Sequence, residues 1–427
     1  TSKKSGTQLY GQDLPQDHLV KVYSKSLSKD RERVIFDDQA LELLKPYLKE
    51  GVDIDKVVAQ ADSISYSQAN YEYAQIETQI QRFEDSNHQY FGWNKHFKKA
   101  VSQMRAHWRN RRLNSLVYRG NSDIMDRLPR RDTHAGSEKL VFGMRSKGEY
   151  EEVIFDLVTN AERIALEEGT FNMPIMIGSR TQASSCFDEY NEFIGSYKKK
   201  TRLVSMIALR VIVSELRWAK PIQGLMSYED WYAGGKNDPR INTLLNQHRQ
   251  AKSYWLSVDY SQFDQSISNW LIHAAFSILE DLFIDDSNHN SKLYWIIVND
   301  FVNKRFIDGN GEFRYSNKGV PSGSMFTQII DTIVNRLMIL TYLNAKGIRP
   351  EETRMLIMGD DNIIFTSERI DRDDLEGYLN KNFGVKVNGS KSSEGTRDDD
   401  PEFLSRYWAI AGAYRPWKEV ICKLLYP

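Results

Sequence analysis

Cysteine is nearly absent: Cys186 and Cys422 are the only two in 427 residues, and neither stands in a Cys-x-x-Cys pair or beside histidines at zinc spacing. This excludes a disulfide scaffold and a zinc module, and it fits a reducing compartment. Long apolar runs are missing as well. The best candidate, Leu203 to Val213, is short and carries Arg210, so neither a membrane span nor a membrane partner is expected. The N-terminus, Thr1-Ser-Lys-Lys-Ser-Gly, has no signal-peptide apolar region and no initiator Met, which reads as the edge of a longer or trimmed product. No repeat or low-complexity linker interrupts the chain, so lobes of one unit are expected rather than separable domains. Nor is there an excess of charge of one sign, with 57 Lys and Arg against 58 Asp and Glu. Bulk charge does not advertise a nucleic-acid partner; basic groups for one would lie in a local channel under an acidic exterior.

What is present is a soluble, globular composition, 41% hydrophobic and 27% charged, in a chain long enough for a large core. Arg354-Met-Leu-Ile-Met-Gly-Asp-Asp-Asn-Ile-Ile-Phe-Thr366 is two short apolar runs meeting at Gly359-Asp360-Asp361, the pattern of a β-hairpin with carboxylates at its tip. Asp-rich turns also arise for conformational reasons alone. Upstream, Ser253-Tyr-Trp-Leu-Ser-Val-Asp259 reads as another strand ending in an acid, followed by Tyr-Ser-Gln-Phe-Asp264. Carboxylates at the ends of two strands can share a metal site. Mg²⁺ takes oxygen ligands, and a two-metal site clamps the attacking and leaving oxygens of a phosphoryl displacement. Between the strands lies Asn317-Lys-Gly-Val-Pro-Ser-Gly-Ser-Met-Phe-Thr-Gln328, a loop running into an apolar helix that continues past Asn335 to Leu343. Gly319, Pro321 and Gly323 mark special backbone geometry, and Ser322, Ser324 and Thr327 suit the capping or lining of the helix start.

Carboxylate strand, Gly-Ser loop with helix, and Gly-Asp-Asp hairpin, in that order, resemble motifs A, B and C of the palm of viral RNA-dependent RNA polymerases. The wording Ser-Gly-Ser-Met-Phe-Thr-Gln looks most like the partitiviruses and their double-stranded RNA virus relatives, including picobirnavirus-type polymerases. The resemblance implies an α+β right hand: fingers, a palm with an antiparallel sheet flanked by helices, and a short or truncated thumb, since only about twenty residues follow Trp408. It divides the chain into an N-terminal extension joining fingers and thumb (1–94), fingers with motifs G and F (95–252), palm with motifs A to D (253–400, with a fingers insertion at about 285–315), and motif E with the start of the thumb (401–427).

The same resemblance assigns roles. Asp259, Asp360 and Asp361 would hold two Mg²⁺ ions, with Mn²⁺ as an alternative. Asp264, Ser322, Gly323, Thr327 and Asn335 would lie near the ribose of an incoming nucleotide. The position nine residues after Ser322, where many positive-strand viral polymerases have Asn, is Asp331 here, and Asn335 follows one helical turn later on the same face. The sugar-sensing network is therefore open between the two, and Asn335 also reads as core packing. Lys198-Lys-Lys-Thr-Arg202 resembles motif F, in which Lys200 and Arg202 would neutralise a triphosphate, Arg bidentately and Lys as a point charge; Arg210 and Lys220 have no role assigned. Asn172 to Gln182 resembles motif G, a small loop with Gly178 and Arg180 at the template entrance. Phe383 to Lys391 resembles motif D, with Lys391 as proton donor to pyrophosphate and Lys386 as its competitor. Glu402 to Trp408 resembles motif E, a hairpin supporting the primer strand.

Other stretches read differently. From Lys95 to Arg131 cations outnumber acids, with Trp93, Phe97, Trp108 and Tyr118 interleaved; this suits phosphate contact and base stacking, or a solvated basic helix. Helical stretches before residue 90, such as Asp37 to Glu50 and Ala69 to Glu84, read as packing elements without chemistry. The helix Ser268 to Phe283 presents Trp270, Ala274, Ile278 and Leu282 on one face as core. The two-acid turn Asp285-Asp286 reads as solvated, and the Asp308-Gly-Asn-Gly turn as part of the same fingers insertion. The implied partners are a single-stranded RNA template, nascent RNA or RNA duplex, NTPs and a viral capsid protein, in the virion interior and host cytoplasm. One rival reading is a reverse transcriptase, which usually has an aromatic residue where Met358 stands. The other is a non-catalytic RNA-binding structural protein with an inherited palm, against which the intact carboxylates argue.

Overall fold

The computed structural model describes residues 30–48, 51–85, 94–283, 288–389 and 391–427. Trp93, the Asp285-Asp286 pair and Ser390 lie outside them. Eleven strands are present among the described residues: β1 (Ile175–Ala183), β2 (Lys199–Met206), β3 (Tyr254–Ser257), β4 (Lys304–Ile307), β5 (Phe313–Ser316), β6 (Arg354–Met358), β7 (Asp361–Thr366), β8 (Ser393–Thr396), β9 (Glu402–Phe403), β10 (Arg406–Ala409) and β11 (Gly412–Tyr414). They form three sheets with orders β2-β1-β4-β5, β6-β7-β3-β8 and β11-β10-β9.

The second sheet is antiparallel throughout, and its two faces sort by residue parity. Met355, Ile357 and Ile364 join the main core with the helices Thr327–Lys346 and Arg372–Phe383. Leu356, Ile363 and Phe365 face the other way, against Ile241, Leu244 and Leu245 of the helix Asp238–Ala251 and against Phe403 and Trp408. A strand covered on both sides has no polar face to alternate with, which is why β6 and β7 read as continuous apolar runs. The helix Thr327–Lys346 is buried over most of its circumference, the expected place for a helix that is apolar all round.

The first sheet draws on distant parts of the chain. β1 pairs antiparallel with β2 over eight residues and parallel with β4, which carries the β4–β5 hairpin. The residues read from sequence as a fingers insertion thus extend the sheet of β1 and β2. One expectation is corrected here: Ile175 to Gln182 is not part of a small loop but most of the nine-residue β1, in which Ile175, Ile177 and Thr181 supply β-branched residues at alternate positions. A second, smaller core joins the helix Ile54–Ser63, the segment around Cys186 and Phe187, and the C-terminal helix Trp417–Leu425. Within it the free thiols of Cys186 and Cys422 lie 4.0 Å apart. No helix of the described residues is long and apolar enough to cross a membrane.

Candidate active site

The β6–β7 hairpin sets the centre. Met358 pairs with Asp361, leaving Gly359 and Asp360 as a two-residue turn, with Gly359 at φ +65°. Positive φ at the first turn residue is where such tight hairpins call for glycine. β3 lies beside β7 in register, Ser257 opposite Ile363, so the chain leaving β3 reaches Asp259 alongside the turn. Asp259 is fixed through its backbone: its N–H donates to Ser392 Oγ (3.1 Å) and its carbonyl accepts from Asn388 N–H (2.7 Å).

Asp259, Asp264 and Asp360 line a cleft of about 630 Å³, and Lys200, Arg202 and Lys391 enter the same space. Six of the residues singled out from sequence are thereby brought together. Lys386 is exposed outside the cleft lining, so of the two competing lysines it is Lys391 that borders the acids. Asp360 is exposed at the hairpin tip, but where it lines the cleft desolvation raises its carboxyl, and nearby Asp259 adds to the effect while Arg202 opposes it. Asp361 stands beside the cleft, pushed up to about 7 by burial and then by Asp360, Asp259 and Glu402. Glu402 is itself raised by burial and by Asp259, with Lys391 opposing. Acids crowded into low dielectric hold their protons until a cation or a partner offsets the repulsion.

Among the described residues no three His, Cys, Asp or Glu side chains gather closely enough to form a cation cage by themselves. The donor set nevertheless fits Mg²⁺. That ion is usually held by one or two carboxylates with substrate phosphates and water completing its octahedron, rather than by an all-protein cage.

The cationic wall is β2. Lys200 and Arg202 fall on its more open side, and Thr201, Leu203 and Ser205 are buried, the period-2 alternation of a strand. β2 is the edge of its sheet, and two glutamines of the helix Tyr73–Glu84 take the place of a neighbouring strand. Gln75 Oε1 accepts from Thr201 N–H (2.8 Å) and Gln79 Oε1 from Leu203 N–H (3.0 Å). In turn their amides donate to Lys199 O (3.1 Å) and Thr201 O (2.8 Å). Satisfying an edge in this way prevents wrong pairing and fixes the strand. Burial, then Lys391 and Arg202, push Lys200 down to about 8.

The helix Tyr73–Glu84 corrects the reading of this region as packing alone. Ile76, Ile80 and Phe83 are buried, but Gln75, Gln79 and Arg82 line the cleft. The sequence signal was the polar face of an amphipathic helix, which by itself does not say what it faces.

Motif B is placed differently from expectation, and none of Ser322, Gly323, Thr327 and Asn335 lines the cleft. Ser322 Oγ accepts from Ser205 N–H (3.0 Å), and a Cβ on Gly323 would stand 1.8 Å from Ser205 O. Both residues dock the Gly-Ser loop on β2. The Thr327 hydroxyl is 2.7 Å from Pro321 O, inside the loop. Asn335 is fully buried; its amide donates to Gly359 O and Asp360 O (3.0 Å each), and its Oδ1 accepts from Tyr260 OH (3.0 Å). It holds the hairpin turn from behind. Asp331 is the motif B acid that meets Asp264, through a hydrogen bond between their carboxyls. Burial raises both above the ordinary range, Asp360 adding its charge to each; Asp264 raises Asp331 further, whereas the hydrogen bond from Asp331 lowers Asp264.

The tract from Lys95 is also resolved. Phe97, Trp108 and Tyr118 are core residues, with Trp108 Nε1 donating to Glu229 and Tyr118 OH to Val213 O, so they cannot stack on bases. Lys98, Lys99, Arg109 and Arg111 are exposed and lie outside the cleft lining. Arg210 is buried against Glu138 in a bidentate pair (2.5 and 2.8 Å), and Lys220 is exposed. Asp308 is buried, with its Oδ1 accepting from the N–H groups of Asn310 and Glu312.

The viral RNA-dependent RNA polymerase family model matches residues 65–421. The RNA-directed RNA polymerase of Cryptosporidium parvum virus 1 is 26% identical over 268 residues, covering 61% of this chain and 48% of that protein. That of Atkinsonella hypoxylon virus is 39% identical over 89 residues, 19% of this chain and 13% of that one. The genome polyprotein of Ljunganvirus 1 is 29% identical over 213 residues, 47% of this chain and 9% of the polyprotein. The chain thus spans about half or less of the length of these relatives. The crystal structure of a human picobirnavirus RNA-dependent RNA polymerase matches with TM-score 0.69 at 15% identity, covering all of this chain and 82% of that one. Its insertion-loop deletion mutant gives 0.67. Such a likeness shows a shared right-hand fold. With the family match extending over most of its length, the chain belongs to the viral RNA-dependent RNA polymerases.

Proposed function

We propose that this chain catalyses template-directed nucleotidyl transfer: an RNA-directed RNA polymerase of a double-stranded RNA virus, replicating and transcribing its genome. The observation that carries the reading is the single cleft in which Asp259, Asp264 and Asp360 face Lys200, Arg202 and Lys391. Acids on one wall and cations on the other suit a nucleoside triphosphate that bridges them. Asp259 and Asp360, with Asp361 beside them, would hold two Mg²⁺ ions, which when bound neutralise the phosphates and align the attacking and leaving oxygens. Lys200 and Arg202 bind the triphosphate oxygens. The 3′-OH of the growing strand attacks the α-phosphate, a new phosphodiester forms, and the bond to pyrophosphate breaks. Lys391 is positioned to give the leaving pyrophosphate a proton. No protein nucleophile is required, because phosphoryl transfer is catalysed mainly by positioning and charge.

Asp264, paired with Asp331, borders the ribose side of the cleft and supports the use of ribonucleotides. A separate cleft of about 560 Å³, lined by Asn172, Met173, Asp300, Arg305, Tyr315 and Asn317, supports template entry on the motif G side. The lobe boundaries implied by the motifs, action in the virion interior and host cytoplasm, and a capsid partner belong to the same proposal. The test is extension on a short RNA template with ribo- and deoxyribonucleotides in parallel. Ribonucleotide product is expected; preferential deoxyribonucleotide incorporation would make the chain a reverse transcriptase, and RNA binding without incorporation would make it a structural protein.

A further inference from the structure

Glu215 is a buried acid with no part in the mechanism above. It lies on the helix Leu209–Ser227, which directly follows β2 in the chain, and it is 2% exposed. Its carboxylate meets no cation among the described residues. Instead Oε1 accepts from the Ser324 hydroxyl and Oε2 from Met325 N–H, both at 2.8 Å. Burial pushes its carboxyl up to about 7, with these two hydrogen bonds opposing. A carboxylate kept in the interior without a counter-ion is costly in free energy, so a specific geometric task is the economical explanation.

The surrounding contacts say what the task is. The same helix also reaches the loop through Gln223 Nε2 to Met325 O (3.4 Å). Ahead of it, Ser205 of β2 donates to Ser322 Oγ, and its carbonyl leaves no room for a Cβ on Gly323. At the other end of the loop, Val320 N–H donates to Asp264 O (2.7 Å) and Gly319 N–H to Ile267 O (2.8 Å). The loop is therefore a wedge between the strand that carries Lys200 and Arg202 and the segment that carries Asp264. We infer that Glu215 is a positioning residue: by latching Ser324 and Met325 it fixes the Gly-Ser loop, and through it the spacing of the phosphate-binding strand from the acidic wall. It sets how tightly the triphosphate is held without touching it. The inference rests on the proposed polymerase reading for its kinetic consequence, but not for its structural one.

The test compares Glu215→Leu, which keeps bulk and removes both acceptors, with Glu215→Gln, which keeps a hydrogen-bonding amide, and with Ser324→Ala, which removes one bond from the loop side. Amide hydrogen exchange is followed in 199–206 and 317–326, alongside the KM for NTP. In Glu215→Leu, exchange in both segments and the KM should rise about tenfold, with kcat changed less. Glu215→Gln should restore most of the loss, and Ser324→Ala should fall between. Parent-like exchange in 199–206 together with unchanged KM in folded Glu215→Leu would overturn the latch. Should that variant not fold, the same result in Ser324→Ala would overturn it. If the parent makes no RNA, the polymerase reading fails, while the exchange data still decide the latch.

Discussion

The side-chain amide of Asn335 donates to the carbonyl oxygens of both Gly359 and Asp360, at 3.0 Å each, so one residue of the buried helix clamps the whole turn that carries the acidic tip. With Thr332 Oγ1 accepting from Gly359 N–H (2.8 Å), the turn is held from both polarities. Asn335→Ala leaves the Gly359 carbonyl and the Tyr260 hydroxyl without this partner, and Asp360 O with only the Asn362 amide at 3.4 Å, at a cost of about 1–3 kcal/mol. Asn335→Asp sets a carboxylate against two carbonyl oxygens and should be worse. Thermal melting and incorporation assays should rank parent, Ala and Asp in that order; an Asp variant as stable and active as the parent would contradict the clamp.

Two glycines with similar backbone torsions should respond differently to alanine. Gly359 has φ +65° and open space around its missing Cβ, so Gly359→Ala carries only the left-handed backbone penalty, about 1–2 kcal/mol. Gly319, at φ +71°, would drive a Cβ to 2.5 Å from Phe83 Cε1 and 2.8 Å from Asp264 O. Gly319→Ala must therefore move the backbone that supports Asp264. The first variant should fold with a modestly lowered melting temperature; the second should lose activity or soluble yield, and equal behaviour of the two would refute the packing argument.

Gln79 should matter to nucleotide binding although it sits on a helix with no recognisable motif. Gln79→Leu strips Leu203 N–H and Thr201 O of their partners on the edge of β2. The strand bearing Lys200 and Arg202 then loosens. The expected outcome is a KM for NTP raised about three- to tenfold with a smaller effect on kcat, consistent with about 1 kcal/mol per lost hydrogen bond. A fall in kcat at constant KM would point elsewhere.

Which of these relationships could be read from the chain follows from where the information lies. The hairpin, the acid at the end of β3 and a Gly-Ser loop running into an apolar helix are local patterns, and each is present as an element of that kind, although the loop docks on β2 instead of lining the cleft. The residues that orient them are set by tertiary neighbours. Asn335 was legible as a polar residue on a buried helix, but its partners are peptide carbonyls, which carry no side-chain signature. Gln75, Gln79, Glu215 and Glu402 act across long stretches of chain, and a lone Gln or Glu on a helix or strand gives no periodic signal. The aromatics between Lys95 and Arg131 misled for a related reason: Phe97 sits on the buried face of the helix Lys95–His107, Trp108 caps its end and Tyr118 is buried in the segment that follows, while Lys98, Lys99, Arg109 and Arg111 are exposed.

Acidity should affect the metal-free protein in a defined direction. Burial and the neighbouring acids push Asp361 up to about 7 in the folded protein, against near 4 when unfolded, so between these values the folded state keeps a proton that the unfolded state has released. Its ionisation therefore lowers stability as pH rises through this window. His248, pushed down to about 4 by burial, works oppositely below about pH 6.5, so a comparison isolates the acid. Asp361→Asn should be more stable than the parent at pH 8 without metal, by up to about 4 kcal/mol, with the gap closing towards pH 4. Mg²⁺ should narrow the gap at pH 8 by stabilising the parent. A difference independent of pH would contradict the crowding of acids.

The most direct test of the catalytic account is incorporation of labelled ribonucleotides on a short single-stranded RNA template with Mg²⁺, comparing the parent with Asp360→Asn. The substitution removes the charge at the hairpin tip while keeping size and hydrogen bonding. The account predicts template-length product from the parent and none above background from the variant. Full activity in Asp360→Asn would contradict it.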